Sequence, residues 1–272
     1  MTVDFATALS TPHSGRDKAV IIDHLQYTRS VILRGAEIPW DDAVAYSNFN
    51  SQAHGLLPSD VTLFDIGAAY EHLLDQNEAL MDAMSARSRT GYALKTLLAD
   101  STTTKKIIDL VSVISQTSKA PLVLQVPSPL RWLAATHTFS GSRDSVDPDA
   151  AENLSVYIAD WLRIFAGLPV TALLLDSRGL SAAGFETEAI TDYSPVINIA
   201  ENYRWTLVHR TENEIVLVNS ILDQRPALRG TVISQEFWKS DSHQVPDGIF
   251  YLAEIPADGI PETVLTKLKL LT

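Results

Sequence analysis

Short apolar runs, most of them rich in β-branched residues, recur along the chain. They are SVIL (30–33), VTLFD (61–65), LVLQV (122–126), VTALLLD (170–176), IVLVN (215–219), TVISQ (231–235) and IFYLAEI (249–255). Most of these runs are continuously apolar rather than alternating, which is typical of strands buried on both faces. We therefore interpret them as the strands of a largely parallel sheet.

Helical patterns lie between these runs. They are predicted over 67–84, over 105–115, over 148–166 and from Pro261 onward. The clearest helix has Asp147 as a natural N-cap, Pro148 at its first helical position and Gly167 at its end. A strand-helix alternation of this kind favours parallel pairing with right-handed crossovers.

The number of predicted strands suits a closed (β/α)8 TIM-type barrel in a single α/β domain over residues 1–272, with 1–28 as an N-terminal extension. An open doubly wound sheet is the alternative. Its nucleotide-binding form is disfavoured, because no glycine-rich phosphate loop follows any of the runs. The segment 203–209 fits either a helix or a strand, and we favour the helix. That choice decides whether His209 can face the barrel mouth.

Composition excludes several classes of function. The chain of 272 residues has a formal net charge of -12, which argues against nucleic-acid and anionic-membrane partners. It has no cysteine, so it can form neither a disulfide nor a cysteine-ligated zinc site. No apolar run is long enough to span a membrane, and the first residues do not resemble a signal peptide. We expect a soluble, cytoplasmic protein.

The run at 122–126 leads directly into Pro127, Ser128 and Pro129, with Arg131 and Trp132 just behind. Pro127 has no N–H to continue a ladder, and Pro129 forces Ser128 into an extended conformation. In a parallel barrel the functional face lies at the carboxyl ends of the strands. We therefore expect this turn to present substrate-binding side chains at the barrel mouth, although a simple strand terminator would look the same.

Other candidates for chemistry also follow strands. Asp176 and Asp65 each end an apolar run and can orient a substrate or act as a base if burial raises their pKa. Arg178 can pair with Asp176 or bind a substrate carboxylate. The remaining candidates are Glu236, whose apolar neighbours are expected to raise its pKa, Asn219 as a polar contact, and His137 and His243 in the following loops.

The segments VLQVPSPLRWL and ENLSVYIADWLRIFAGLPVTALLLDSR, with YLAEIPADGIPETVLTKLKLL at the C-terminus, resemble the barrel of the superfamily of cobalamin-independent methionine synthase and uroporphyrinogen decarboxylase. The resemblance implies that Asp176, Ser177 and Arg178 occupy the place of an Asp-Glu-Pro-like element. Ala257 and Asp258 stand where the family's last zinc cysteine would be sought. A chain without cysteine therefore lacks the family's zinc site.

The decarboxylase branch of that superfamily works without a cofactor, using arginines that grip substrate carboxylates and an aspartate near the reacting centre. We accordingly expect a metal- and cofactor-independent enzyme that binds a small anionic organic molecule, most naturally a lyase or decarboxylase, with zinc-free methyl or alkyl transfer second. The alternative is a degenerate, non-catalytic barrel that serves as a subunit or regulatory partner of another enzyme. Homo- and hetero-oligomers both stay open.

Overall fold

The computed structural model describes residues 4–141, 146–180, 182–185, 188–218, 227–239 and 244–271. Within these ranges the strands form one eight-stranded sheet in the order β1-β8-β7-β6-β5-β4-β3-β2. They are β1 Val20–Asp23, β2 Thr62–Asp65, β3 Leu122–Pro127, β4 Val170–Asp176, β5 Thr206–Arg210, β6 Glu214–Leu217, β7 Arg229–Ile233 and β8 Tyr251–Glu254.

The two end strands of this sheet, β1 and β2, come together and nearly close it into a barrel. The N–H of Asp60, just before β2, donates to the carbonyl of Val20 at 3.0 Å. Side chains supply the other links, because Asp60 Oδ2 accepts from the N–H of Val20 at 2.8 Å and Ser59 Oγ accepts from the N–H of Ile22 at 3.1 Å. Polar side chains therefore take the place of part of a regular ladder along this seam.

Neighbouring strands are parallel except around β6, which runs antiparallel to both β5 and β7. A tight turn joins β5 to β6, with the N–H of Thr211 donating to the carbonyl of Glu214 at 3.0 Å. The molecule is thus a mixed α/β protein built on a barrel-like sheet, and the hairpin at β5–β6 interrupts the strict alternation of strand and helix.

Most of the helices cover the outside of the sheet. They are α1 Phe5–Ser10, α2 Leu25–Val31, α3 Ala43–Leu56, α4 Ile66–Asp75, α5 Glu78–Ser85, α6 Tyr92–Ala99, α7 Ser101–Thr117, α8 Pro129–His137, α9 Pro148–Leu162, α10 Ser194–Asn202, α11 Gln235–Lys239 and α12 Pro261–Leu268. The N-cap predicted for α9 is confirmed, because Asp147 Oδ1 accepts from the N–H of Ala150 at 2.7 Å. None of the helices in the described ranges is long and apolar enough to cross a membrane.

Alternate residues of each strand pack on opposite sides of the sheet. In β4, Ala172 and Leu174 join an inner apolar cluster, while Leu173 and Leu175 pack in the larger cluster beneath the helices. Phe5 of α1 also belongs to the inner cluster and is fully buried. Both faces of β4 are therefore apolar, which explains its continuous hydrophobic sequence.

Several sequence-based predictions need correction. The strand predicted at 30–33 is wrong, because the last two residues of α2 and its C-cap occupy 30–32, and a four-residue apolar run does not distinguish the two structures. The helix predicted over 67–84 is two helices, separated where Asn77 accepts from the N–H of Leu80 and caps α5. The N-terminal extension 1–28 is shorter than expected, because β1 lies inside it.

The helix favoured for 203–209 is also wrong, because none of these residues is helical and β5 begins at Thr206. The preceding helix α10 ends at Asn202, and Arg204 adopts a left-handed φ of 58° that breaks the helix before β5 begins. Burial of Leu207 and Val208 on opposite sides of the sheet outweighs the helical pattern of the segment.

Candidate functional site

Side chains alternate between the inner and outer faces of the strands, and at the carboxyl-terminal end of the barrel this alternation brings together six inward-facing polar residues. Each lies two positions after an apolar residue that faces inward, as Asp23 follows Ile21 and Arg210 follows Val208. The six, which we call the mouth ring, are Asp23, Asp65, Gln125, Asp176, Arg210 and Glu254.

Arg210 is fully buried and holds three members of this ring. Its Nη1 contacts Gln125 Oε1 at 2.6 Å and Asp23 Oδ2 at 2.7 Å, and its Nη2 pairs with Glu254. Burial raises the pKa of Asp23, but the charges of Arg210 and Arg178 lower it by more, so the net direction is downward. Asp23 therefore stays ionised at neutral pH.

Asp176 lies between two guanidinium groups. Arg178 contacts it through Nε at 3.0 Å and through Nη2 at 2.8 Å, and Arg131 Nη1 lies 2.5 Å from its Oδ2. Burial raises the pKa of Asp176, and its bonds to Arg178 together with the nearby cations outweigh that effect and depress it. Asp176 is therefore a permanent anion that positions the two arginines.

The two arginines differ in the number of N–H donors that remain to bind an anion. Arg178 also contacts Glu254 at 3.0 Å and lies 3.6 Å from Asp23, so carboxylates surround its guanidinium. Arg131 uses only Nη1, which also donates to the carbonyl of Asp176 at 3.4 Å. Its Nε and Nη2 make no hydrogen bond to any residue that the structure describes, and these two donors can accept a bidentate carboxylate.

Asp65 is the exception among the acids of the ring. It accepts from the N–H of Ala68 at 3.0 Å and from Gln125 Nε2 at 2.7 Å, but no cation in the described ranges lies within ion-pairing distance. Burial raises the pKa of Asp65 to about 6, and the nearby charges of Asp23 and Asp176 act in the same direction. This carboxyl can therefore gain and lose a proton near neutral pH.

A cavity of about 510 Å³ opens over these groups. Asp23, Asp65, Arg131, Asp176 and Arg178 line its polar part, and the volume is in the range of ordinary small-molecule sites. Trp132 also lines it, with its ring 5.6 Å from that of Tyr70. The structure thus brings five of the predicted site residues, Asp65, Arg131, Trp132, Asp176 and Arg178, to one cavity.

The Pro-Ser-Pro segment joins the last residue of β3 to the first turn of α8. Ser128 is buried, and its Oγ accepts from the N–H of Arg131 at 3.4 Å as the N-cap of the helix. Pro129 occupies the first turn, where an N–H would have no partner. This junction places Arg131 and Trp132 over the mouth. Ser128 itself is not among the residues that line the cavity.

The other predicted residues lie elsewhere. Glu236 is exposed on α11, and its own N–H and the Ser234 hydroxyl lower its pKa, which is the opposite of the expected direction. His137 ends α8, is buried away from the cavity lining and lies near Ser140 Oγ. Asn219 and His243 fall outside the residues that the structure describes.

His209 does not face the mouth, although its segment is a strand. It lies between the inward-facing Val208 and Arg210, and its Nε2 is 2.8 Å from Ser177 Oγ, which also donates to Glu188. This outer cluster fastens the end of β4 to β5. Its polar groups belong to the wall of the barrel and not to the cavity.

Sequence reasoning missed four members of the ring, Asp23, Gln125, Arg210 and Glu254. The available signal was a polar residue two positions after an inward-facing apolar residue, as in VIID (20–23), LVHR (207–210) and YLAE (251–254).

Within the described ranges, no group of three or more His, Cys, Asp or Glu side chains is arranged to hold a metal ion. No protein-family model, curated protein or solved structure matches the chain.

Proposed function

We propose that the protein is a cofactor-independent lyase that acts on a small carboxylate at the barrel mouth. One observation carries this proposal. The same cavity holds Arg131, with two donors that make no hydrogen bond to a described residue, and Asp65, a carboxyl with a pKa of about 6 and no cationic partner among the described residues. A carboxylate anchor beside a proton-transfer group is the minimal machinery for breaking a C–H bond next to a carboxylate.

Arg131 binds the substrate carboxylate in this proposal. Its bond to Asp176 fixes the guanidinium plane and leaves Nε and Nη2 as two parallel donors. As the neighbouring C–H bond breaks, negative charge accumulates on the substrate carboxylate. Arg131 therefore stabilises the transition state more than the bound substrate, which is the condition for catalysis.

Asp65 is the base in this proposal. At neutral pH it is mostly ionised, and each oxygen keeps an unused lone pair after accepting one hydrogen bond. It takes the proton from the carbon next to the substrate carboxylate. The electron pair of that C–H bond forms a C=C bond, and hydroxide leaves the next carbon and becomes water with a proton from solvent.

Decarboxylation is the less favoured lyase reaction for this geometry. An arginine that grips the departing carboxylate stabilises the ground state, because the carboxylate must lose its charge to leave as CO2. A mouth filled by Trp132, Trp238 or Tyr251 would favour the degenerate-subunit alternative. Trp238 and Tyr251 instead pack with α12 in a separate apolar cluster, and the cavity stays open.

The test uses 3-hydroxy acids of two to eight carbons beyond the carboxylate, incubated with the protein in D2O. We expect 2-enoate formation by absorbance and deuterium at the neighbouring carbon by ¹H NMR, with a rate that rises with pH through about 6 as Asp65 ionises. Asp65→Asn should lower the rate by about 10²-fold or more. Arg131→Gln should lower the rate at saturating substrate and also raise the substrate concentration needed by about tenfold or more.

The matched control is Arg163→Gln, which changes an exposed arginine outside the cavity and should leave the rate unchanged. Turnover that survives Asp65→Asn would contradict the assignment of the base. The absence of both turnover and exchange across the whole series would contradict the lyase proposal itself.

A further inference from the structure

The cavity at the mouth extends well beyond its charged end. Its lining continues along α4, from Asp65 at the N-cap to Asp75 at the last residue of the helix. With a rise of 1.5 Å per residue, this length of helix corresponds to about 15 Å. The occupant of the whole cavity is therefore longer than the two or three carbons that take part in the proposed reaction.

Much of the lining of this cavity is apolar. Its walls consist mainly of aliphatic and aromatic side chains from α2, α4, α6, α8 and the turn after α8, namely Leu25, Tyr70, Leu74, Leu97, Trp132 and Phe139. Such a surface offers water few hydrogen bonds, so an apolar group of the ligand is the natural occupant of this section.

The wall of the cavity along the second half of α4 is acidic. Glu71 and Asp75 line it, both are exposed, and neither pairs with a cation within the described part of the chain. Elsewhere in the lining, Arg131 is the residue with unused donors for an anion. These two parts of the cavity therefore favour ligand groups of different charge, since a negative group near Glu71 and Asp75 is repelled.

We infer that the substrate is a monocarboxylic acid with an elongated apolar body whose far end carries no negative charge. This inference rests on the proposed function for the position of the carboxylate at Arg131. It adds that the apolar section binds the body of the substrate, and that Glu71 and Asp75 reject dicarboxylates. Selectivity for chain length and selectivity for charge thus arise from different parts of one cavity.

Four small probes separate these contributions: acetate, hexanoate, adipate and hexylamine, each titrated by calorimetry at pH 7. Affinity should rise about three- to fourfold for each methylene that enters the apolar section, so hexanoate should bind at least about 30-fold more tightly than acetate. Adipate should bind at least about tenfold more weakly than hexanoate, because its second carboxylate must leave water for the apolar section and approach Glu71.

Two double variants test the acidic wall. Replacing the acids by Glu71→Lys with Asp75→Lys should bring the affinity for adipate up to that for hexanoate or above it. The control, Asp82→Lys with Glu152→Lys, makes the same change of charge at exposed positions outside the cavity lining. It should leave the hexanoate-to-adipate ratio as in the wild type.

The outcomes separate the two proposals. If acetate or adipate binds as tightly as hexanoate and binding depends on Arg131, the inferred substrate class is overturned and the lyase proposal stands. If hexylamine binds and the carboxylates do not, or if Arg131→Gln leaves hexanoate binding intact, both proposals are overturned. The expected order of affinities, lost in Arg131→Gln, supports both.

Discussion

At the scale of single residues, Asp65 combines two roles that usually belong to different side chains. It ends β2 and caps α4, since its Oδ1 accepts the N–H of Ala68. A carboxylate cap is normally stabilised in its ionised form. Burial and the neighbouring acids oppose this effect and raise the pKa of Asp65 to about 6. Below pH about 6, Asp65 is therefore mostly protonated, whereas capping of α4 alone would keep it ionised there.

The raised pKa makes the stability of the protein depend on pH. Because the folded state binds this proton more tightly than the unfolded chain, the contribution of Asp65 is full below pH about 4 and is lost as the pH rises through about 6. Asp65→Asn removes the titration. We expect the free energy of unfolding of the wild type, relative to this variant, to fall by about 2 kcal/mol between pH 4 and pH 7.5.

Urea unfolding of both proteins across this pH range measures the difference directly. Loss of the bond from Gln125 Nε2 shifts the variant by a constant amount and does not change the slope. A difference between the two proteins that is independent of pH would contradict the raised pKa.

At the scale of elements, the contact between α6 and α9 depends on a glycine. Gly91 precedes α6 with a left-handed φ of 79°, and a Cβ added there would meet Leu154 Cδ1 of α9 at 2.4 Å. Both the backbone conformation and the space therefore require glycine at this position. The pair of helices stands beside α8, which carries Arg131 and Trp132.

Gly91→Ala should consequently destabilise the protein by about 2–4 kcal/mol, because strain in the backbone adds to overpacking against Leu154. Gly167→Ala is the matched control, since nothing lies within 4 Å of its added Cβ and its φ is not left-handed. It should change stability by less than about 1 kcal/mol. Thermal unfolding of the two variants distinguishes them, and equal midpoints would contradict this account of the contact.

The sequence predicts the elements unequally, for physical reasons. Long runs such as β4, apolar on both faces, and the capped α9 are evident because burial and capping act within one segment. The strand β1 is missed, and β5 is given to a helix because the apolar spacing of α10 continues into Leu207. Asp176 and Arg131 are found because one ends a long apolar run and the other closely follows one, while Arg210 requires knowledge of which face of β5 is inside.

At the scale of the whole molecule, Arg210 links strands on both sides of the barrel. It joins β5 to β1 through Asp23, to β3 through Gln125 and to β8 through Glu254. A fully buried guanidinium with two carboxylate partners is stable only while all three stay together. The closed shape of the mouth is therefore tied to this one side chain.

Arg210→Met should destabilise the protein by about 3–5 kcal/mol, because it leaves Asp23 and Glu254 near each other with less compensation. Arg229→Met is the control, since Arg229 forms an exposed pair with Glu214 at 2.6 Å and such pairs contribute about 0–1 kcal/mol. Chemical denaturation of both variants gives the comparison. A loss below 1 kcal/mol for Arg210→Met would show that the ring does not hold the barrel together.

The seam between β1 and β2 has a consequence for the spacing of the acids. Asp23 and Asp65 end the two strands that flank it, and the side chains of Ser59 and Asp60 supply much of the bonding across it. Side-chain links, unlike a continuous ladder, can be lengthened or shortened by a single substitution. A substitution at Ser59 or Asp60, at the opposite end of the strands, can therefore change the distance between Asp23, which stays ionised, and Asp65, which titrates, without altering either acid.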